Sequence, residues 1–441
     1  MQLKKMKSIR GKLALATSAL LVASPGHATE NAAPSSDNDS VDISRLYYAE
    51  EERVTVEKIQ AYITKEINES NKVKLGYIYD TMSGASPNGR IYVSSGDASN
   101  ITYTTASGNQ NTVATNSNGS SATWKTNFKD TRQAYSAEWE HAITNTITAV
   151  ASAATSSEND YDSQTYSGKF LWDLNQRRTT LTIGASMNFD KVNAIGGNPK
   201  GGTTIACISD PSFSPEWLDC SPNTKFLKSP TGKNTVDYLF GITQVWNRKT
   251  LMQFNFSFSE ENGYLTDPYK QVSVVNSVYG GEVAIINEKR PDSRKTRALF
   301  YKVVYVLNDN IASHTSYRLF WDDWGVIAHT VNQRLRINIT DRFYVQGHGR
   351  VHWQGAADFF RSSIGADKNS KYYFKEAPQY ISADSRLGEL GTVTVGAKIG
   401  YKINNSSNVS ARAERMMQKY NDGLLPTMNT WIMQVILNIK F

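Results

Sequence analysis

The sequence has 441 residues with a formal net charge of +7, and 39% of its residues are hydrophobic. Beyond the first 28 positions, no apolar run reaches the roughly 18–20 residues of a membrane-spanning helix, which excludes a helical membrane protein. The charge does not indicate a nucleic-acid partner. Five positively charged residues lie within the first twelve positions, and without them the net charge of the chain falls from +7 to +2.

The N-terminus has the three parts of a secretory signal peptide. Its basic region contains Lys4, Lys5, Lys7, Arg10 and Lys12. An apolar run, LALATSALLVA (13–23), follows, and SPGHA (24–28) places small residues at a cleavage site. We therefore expect residues 1–28 to be removed after Ala28, during export through the general secretory pathway.

Residues 29–44 are polar and predict a flexible lead-in rather than a domain. From residue 45 to residue 441, apolar and polar residues alternate in many segments. The clearest are KVKLGYIYDT (72–81), TTLTIGASMNF (179–189), MQFNFSFS (252–259) and TVTVGAKIGYKI (392–403). Such segments of about ten residues, separated by turn residues, are typical of membrane barrels. The predicted fold is all-β, a transmembrane antiparallel β-barrel of the outer-membrane type.

Short and long connections also alternate along the chain. Short turns such as NQRR (175–178) separate long polar connections such as 83–127 and 191–234. Outer-membrane barrels have short periplasmic turns and long extracellular loops. Counting back from Phe441 gives about fifteen strands, and residues 44–52 either add a short sixteenth or thread the lumen. We expect about 16 strands, within a range of roughly 14–16.

The last segment, WIMQVILNIKF (431–441), is predicted to be the closing strand. One face is apolar from Trp431 to Phe441, whereas Gln434, Asn438 and Lys440 interrupt the other face. Its aromatic end resembles the signal that outer-membrane barrels present to their insertion machinery. The expected partners are therefore the barrel-insertion machinery and the lipid bilayer of a Gram-negative outer membrane. The 23 Tyr, 16 Phe and 9 Trp residues fit aromatic girdles at the membrane interfaces.

The polar face of the C-terminal strands is rich in Arg and His. The pore-lining candidates there are His314, Arg318, Arg334, Arg336, His348, Arg350, His352 and Arg412. The N-terminal half offers Glu138 and Glu140. Opposed basic and acidic walls create a transverse field that selects small charged solutes. The alternative is an ion-paired network that fills and rigidifies a closed lumen.

Two cysteines, Cys207 and Cys220, lie thirteen positions apart in a polar segment of an exported chain. We expect them to form a disulfide. Acidic loops supply possible oxygen ligands for Ca²⁺ at Asp160, Asp162, Asp322 and Asp323, although a solvated rim is the simpler explanation.

The sequence indicates neither an enzyme nor a cofactor. It contains none of the common hydrolase, metalloprotease, CxxC or phosphate-loop motifs. His348 and His352 would stand roughly 13 Å apart along a strand, too far to chelate one metal ion directly. A rim hydrolase is therefore a distant alternative, and no metal site is predicted.

Several segments together resemble an uncharacterised bacterial outer-membrane family, catalogued as domain of unknown function 3570. They are DTMSGASPNG (80–89), SENDYDS (157–163), DLNQRRTTLTIG (173–184), GYLTDPYK (263–270), RPDSR (290–294), YRLFWDDWGVIAHT (317–330) and QYISADSRLG (379–388). The resemblance runs from about residue 45 to the C-terminus, with Arg178 where the family usually has asparagine.

Members of that family are often encoded beside a thioredoxin-like protein, a small lipoprotein and a flavin transferase. The resemblance therefore implies a role in an envelope redox or maturation system, with a periplasmic thioredoxin-like protein or small lipoprotein as partner. It supplies no catalytic residue. The leading hypothesis from the residues is a channel or transport barrel for small solutes, and the alternative is a non-channel anchor, binding or assembly component.

Overall fold

The computed structural model describes residues 39–51, 53–92, 101–104, 110–113, 122–207, 214–220, 226–228, 230–276, 281–369, 372–421 and 425–441. The predicted signal peptide with its cleavage site after Ala28, and residues 29–38 of the predicted lead-in, lie outside these residues.

The first eleven strands are β1 Ser40–Glu50, β2 Val54–Asn68, β3 Asn71–Tyr92, β4 Ile101–Thr104, β5 Gln110–Val113, β6 Ala122–Ala142, β7 Ile147–Ser157, β8 Tyr161–Leu174, β9 Thr179–Val192, β10 Thr204–Cys207 and β11 Thr231–Asn247. The next eleven are β12 Thr250–Gly263, β13 Gln271–Asn276, β14 Gly281–Asn287, β15 Ser293–Asn308, β16 Ile311–Asp322, β17 Ile327–Asn338, β18 Phe343–Gln354, β19 Ile364–Gly365, β20 Leu390–Lys402, β21 Ser407–Tyr420 and β22 Met428–Lys440. A single 3₁₀ turn occupies Ser385–Leu387.

Sixteen strands close into one antiparallel barrel, in the order β1-β2-β3-β6-β7-β8-β9-β11-β12-β15-β16-β17-β18-β20-β21-β22. Along the barrel strands, exposed side chains mostly alternate with less exposed ones, as the period of a strand requires. The exposed set is apolar and aromatic, with Leu75, Phe170, Ile183 and Val395 as examples. A closed barrel with an apolar outer band and a polar inner face is the architecture of an outer-membrane barrel. This confirms the predicted fold and strand number.

In the described part of the chain, no helix is long and apolar enough to cross a membrane.

The sixteenth strand begins earlier than predicted. The lead-in was expected to extend to residue 44, but β1 starts at Ser40 and pairs with both β2 and β22. Ser40 pairs with Lys440 at one end of β1, and Glu50 pairs with Thr430 at the other. The polar start of β1 escaped the sequence pattern because Asp42 and Ser44 face inward, where polar residues are expected. Residues 40–44 therefore belong to the barrel, and 44–50 do not thread the lumen.

Three long loops on one end of the barrel fold into a second sheet. The β9–β11 loop contributes β10, the β12–β15 loop contributes β13 and β14, and the β18–β20 loop contributes β19, in the order β10-β14-β13-β19. We call this sheet and the loop segments packed on it the cap; its described residues are 193–207, 214–220, 264–276, 281–292, 355–369 and 372–389. Val272, Val274, Ile286 and Ile364 are its fully buried core.

The cap also contains the predicted disulfide. Cys207, at the end of β10, is bonded to Cys220. Trp217 and Leu218, inside the loop that this bond closes, pack on the apolar core of the cap. The disulfide therefore fastens a loop to the sheet rather than to the barrel wall.

The cap joins opposite sides of the barrel. The β3–β6 hairpin and the β12–β15 loop are six positions apart in the ring of sixteen strands, yet Arg90 of the first forms an ion pair with Glu282 of the second. The indole of Trp217 donates to the carbonyl of Phe374 at 2.9 Å, and their two loops are again six positions apart. Contacts between nearly opposite walls place the cap across the long-loop end of the barrel.

Candidate functional site

The inner face of the barrel is the candidate site, and its C-terminal half is strongly basic. Strands β16, β17, β18 and β21 carry His314, Arg318, Arg334, Arg336, His348, Arg350, His352 and Arg412 on the face opposite the exposed apolar residues. On the same strands Tyr317, Leu335 and Trp353 are exposed and face outward. The alternation that positions these residues is therefore the one expected from the sequence. We call the eight inward-facing Arg and His residues the basic wall.

One row of residues paired across neighbouring strands brings a carboxylate, that of Glu414, to the basic wall. Strand pairing places His314 opposite Arg334, Arg334 opposite His348, His348 opposite Gly396 and Gly396 opposite Glu414. Because Gly396 has no side chain, His348 reaches over β20 and its Nδ1 lies 2.7 Å from Oε1 of Glu414. A Cβ at this glycine would collide with the side chain of Glu414 and would lie 2.5 Å from the carbonyl oxygen of Ala413.

The same carboxylate also lies near a guanidinium group. Nη1 of Arg412 lies 3.6 Å from Oε1 of Glu414, and both side chains are buried. Glu414 is thus shared between a histidine and an arginine. Truncating it would leave two buried basic groups without their acidic partner.

Other members of the basic wall contact aromatic rings and hydroxyl groups. The guanidinium of Arg336 lies 3.7 Å from the centre of the Tyr344 ring, and that of Arg318 lies 5.2 Å from the Phe320 ring. His352 Nδ1 lies 2.9 Å from the hydroxyl of Thr330. The two ring contacts orient the guanidinium groups without neutralising their charge.

The opposite wall is mixed rather than simply acidic. Glu138 and Glu140 lie on the inner face of β6, next to Lys74 and Lys72 of β3 in the strand register. The buried Nζ of Lys169 on β8 lies 3.9 Å from Glu138. The predicted acidic pair is therefore balanced in part by lysines that the sequence pattern did not single out.

The four acidic residues considered for Ca²⁺ do not come together. Asp322 pairs with Arg294, the backbone N–H of Lys295 donates to Asp323, Ser157 donates to Asp162, and the hydroxyl of Tyr269 donates to Asp160. Asp162 and Asp323 are exposed to solvent, whereas the ion pair of Asp322 and the hydrogen bond of Asp160 hold loops in place.

A different acidic group forms around Asp160. Carboxylate oxygens of Asp130, Glu158 and Asp160 lie within 4.8 Å of one another. Burial, with the neighbouring carboxylates of Asp130 and Asp160, raises the pKa of Glu158 to about 7, although Arg132 opposes the shift. The sequence did not identify this group, because Asp130 lies on β6, 28 positions before Glu158.

Charged residues also hold the cap together. The Arg290 guanidinium bridges Glu288 and Asp384, at 2.7 and 2.8 Å, and Arg386 bridges Asp384 and Asp267. Burial alone would raise the pKa of Asp384, but Arg386, Lys270 and Arg290 hold it well below its usual range. Apart from Glu288, this network is supplied by three segments that carry the family resemblance, 263–270, 290–294 and 379–388.

A cavity of about 650 Å³ opens beside the cap. Its lining includes Trp324, Phe359 and Tyr380, together with the charged residues Asp323 and Arg361. The rings of Trp324 and Phe359 meet edge to face, with centroids 5.2 Å apart. This cavity is separate from the basic wall and gives the cap a surface on which a ligand could bind.

The family follows from comparison with known proteins. A family model described as "Protein of unknown function (DUF3570)" matches residues 10–435, nearly the whole chain. The chain belongs to this family. The match confirms the resemblance noted in the sequence, and the family description assigns no activity to DUF3570 members. No curated protein matches the chain.

Solved structures with a related barrel are distant from this DUF3570 protein. A bacterial polysaccharide outer membrane secretin has 7% identity and a TM-score of 0.46, covering 92% of this chain and 99% of its own. The CymD monoaromatic hydrocarbon channel has 8% identity and a TM-score of 0.38, covering 92% and 88%. The siderophore receptor PirA from Pseudomonas aeruginosa has 8% identity and a TM-score of 0.38, and this chain covers 56% of it.

Proposed function

We propose that the protein is an outer-membrane channel for small charged solutes. It would be exported by the general secretory pathway and inserted by the barrel-insertion machinery of a Gram-negative cell. The observation that supports this proposal is the charge asymmetry of the inner face, with the basic wall on β16–β18 and β21 facing a mixed wall in which the β6 glutamates lie beside lysines. A field across a lumen orients charged solutes and selects among them.

The cap bears on how such a channel would work. Because it joins opposite walls of the barrel, it narrows the long-loop end and limits passage to small solutes. A solute would pass beside the cap before it reaches the basic wall. The inner-face candidates, from His314 to Arg412 and including Glu138 and Glu140, are proposed as the residues that line this path.

Planar-bilayer recording of the purified full-length protein tests the proposal. We expect discrete ion currents from the wild type and altered ion selectivity from Arg350→Ala, because this change removes a charge from the basic wall. Arg45→Ala is the matched control, since Arg45 pairs with Glu57 on the exposed outer face. Absence of current from the wild type and both variants, in protein whose gel mobility changes on boiling as expected of a folded barrel, would rule out a channel.

The cavity beside the cap favours a second candidate, a binding or assembly component in which the barrel is the anchor. Its aromatic lining and mixed charges suit a polar ligand or a short peptide segment. The family resemblance separately implies a periplasmic thioredoxin-like protein or a small lipoprotein as partner, which would contact the short-turn end of the barrel and not this cavity. A barrel without current that co-purifies with such a protein from envelope extracts would favour this function over the channel. A rim hydrolase stays a hypothesis without an assigned residue.

A further inference from the structure

Two arginines on the basic wall form no direct ion pair in the described part of the chain. Within the described residues, no carboxylate forms an ion pair with Arg318 or Arg350, whose guanidinium groups face the inside of the barrel. The nearest candidate, Glu414, is already shared between His348 and Arg412. The two arginines are therefore positive charges without a direct ion pair on the same part of the wall, and Glu414 acts on Arg350 only from a distance.

Strand register places these two arginines close enough to share a ligand. Arg318 is opposite Thr330, Thr330 is opposite His352, and Arg350 precedes His352 by two residues on the same face. Two strand spacings and one step of two residues separate the Cα atoms by about 12 Å. Two extended arginine side chains together span that distance, so both can contact one small group between them.

The groups between the arginines are hydrogen-bonding side chains, and His352 contacts one of them, the hydroxyl of Thr330. Thr330 and Asn332 of β17 lie in the register rows of Arg318 and Arg350, respectively. Thr394 of β20 lies opposite Arg350 on its other side. Hydroxyl and amide donors beside two guanidinium groups suit the oxygens of a carboxylate or phosphate, which accept several hydrogen bonds at once.

Electrostatics explains why an anion would be favoured here. Like charges that are partly removed from water repel one another and are costly to keep uncompensated. A carboxylate would remove that repulsion and form charge-assisted hydrogen bonds with both guanidinium groups. A cation would add to the repulsion and would be excluded from this part of the lumen.

We infer that Arg318 and Arg350, with Thr330 and Asn332, form a binding site for the carboxylate or phosphate group of a small anion. This inference rests on the proposed channel function and specifies its solutes. The basic wall then acts as an anion filter, and the site between these arginines is where a permeating anion pauses.

Bilayer recording with inorganic phosphate and with acetate as probes tests the site. In a potassium chloride gradient, the reversal potential of the wild type is expected to have the sign of anion preference. Phosphate, and more weakly acetate, should reduce the chloride current in a saturable way. Arg318→Gln and Arg350→Gln should each weaken this block about tenfold, as expected for the loss of one charge-assisted hydrogen bond.

Arg415→Gln is the matched control. It removes the same charge from β21, but Arg415 pairs with Glu51 and stacks on Trp431 on the outer face, so phosphate block should not change. Titration calorimetry of the detergent-solubilised proteins with phosphate gives a readout independent of current.

The outcomes separate the inference from the proposed function. Current without anion preference, and without a phosphate effect that depends on Arg318 or Arg350, would overturn the anion site and leave the channel intact. No current, but phosphate binding that is lost in Arg350→Gln, would keep the site and overturn the channel. Equal phosphate block in the wild type, both inner variants and the control would overturn the inference.

Discussion

Arg90 and Glu282 form a buried ion pair that connects the β3–β6 hairpin to the cap. Nε of Arg90 lies 2.8 Å from each carboxylate oxygen of Glu282, and the hydroxyl of Ser273 donates to the same carboxylate at 2.6 Å. The arginine is fully buried and the glutamate 4% exposed. Because the hairpin and the β12–β15 loop come from nearly opposite sides of the barrel, this pair fixes the cap across the opening.

Breaking this pair on one side should release the cap. Arg90→Ala leaves a buried carboxylate without its partner, which typically costs about 3–5 kcal/mol. We expect faster limited proteolysis within the cap and a larger single-channel conductance, while the boiling-dependent gel shift of the barrel persists. Arg45→Ala, which breaks the exposed pair with Glu57, should change neither. Unchanged protease resistance in Arg90→Ala would show that the cap is held by other contacts.

The raised pKa of Glu158 makes a pH-dependent prediction. Its pKa of about 7 in the folded protein is above the ordinary value of 4.5. Below pH 4.5 the group is neutral in both states. Between pH 4.5 and 7 only the unfolded chain ionises, so stability decreases as pH rises and the loss is complete above pH 7.

Glu158→Gln removes this ionisation. It should raise the apparent melting temperature in detergent at pH 8 and have little effect at pH 4.5, with a gain of at most about 3 kcal/mol. Glu69→Gln, in an exposed turn, is the control. An equal effect of Glu158→Gln at both pH values would contradict the prediction.

Gly396 should tolerate no side chain. A Cβ there would collide with Glu414 and crowd the Ala413 carbonyl, so Gly396→Ala should displace the carboxylate from His348 and destabilise the barrel by about 1–3 kcal/mol. Gly347→Ala on β18 is a matched control, because nothing lies within 4 Å of a Cβ at that position. Chemical denaturation followed by tryptophan fluorescence measures both, and similar midpoints for the two variants would refute the role given to Gly396.

Removing the disulfide should loosen the cap without unfolding the barrel. Cys207→Ser with Cys220→Ser opens a loop with a sequence separation of 13, which costs about 3 kcal/mol by loop-closure entropy. We expect increased cleavage near Trp217 and an unchanged boiling-dependent gel shift. The wild type treated with reductant should behave like the double variant, and a lost gel shift in either would mean that the disulfide supports the barrel itself.

The barrel could be predicted from the sequence because alternation is a local property. Inward Arg334 is followed directly by outward Leu335, and inward Arg350 by outward Val351; this pattern needs no knowledge of the partner strand. The strand β1 was placed a few residues late because its inward Asp42 and Ser44 look like loop residues.

The cap could not be predicted in the same way. Val272, Ser273 and Val274 are consecutive and all fully buried, so no alternation marks their strand. Arg90 and Glu282 lie 192 positions apart, and nothing near either residue indicates the other. The lack of an ion pair at Arg318 and Arg350 could not be predicted either. It depends on the contact between Glu414 and His348, which forms across Gly396 on the strand between them.

The pairing of β1 with β22 has a consequence for the order of assembly. It joins residues separated by 380 to 400 positions, from Glu50 with Thr430 to Ser40 with Lys440. Every other neighbouring pair in the ring forms between segments much closer in sequence, so loop-closure entropy favours these pairs first. The sheet would therefore grow as an open ribbon with two unsatisfied edges, and its last step would be lateral closure along this seam. A machinery that inserts the protein must shield both edges until they meet.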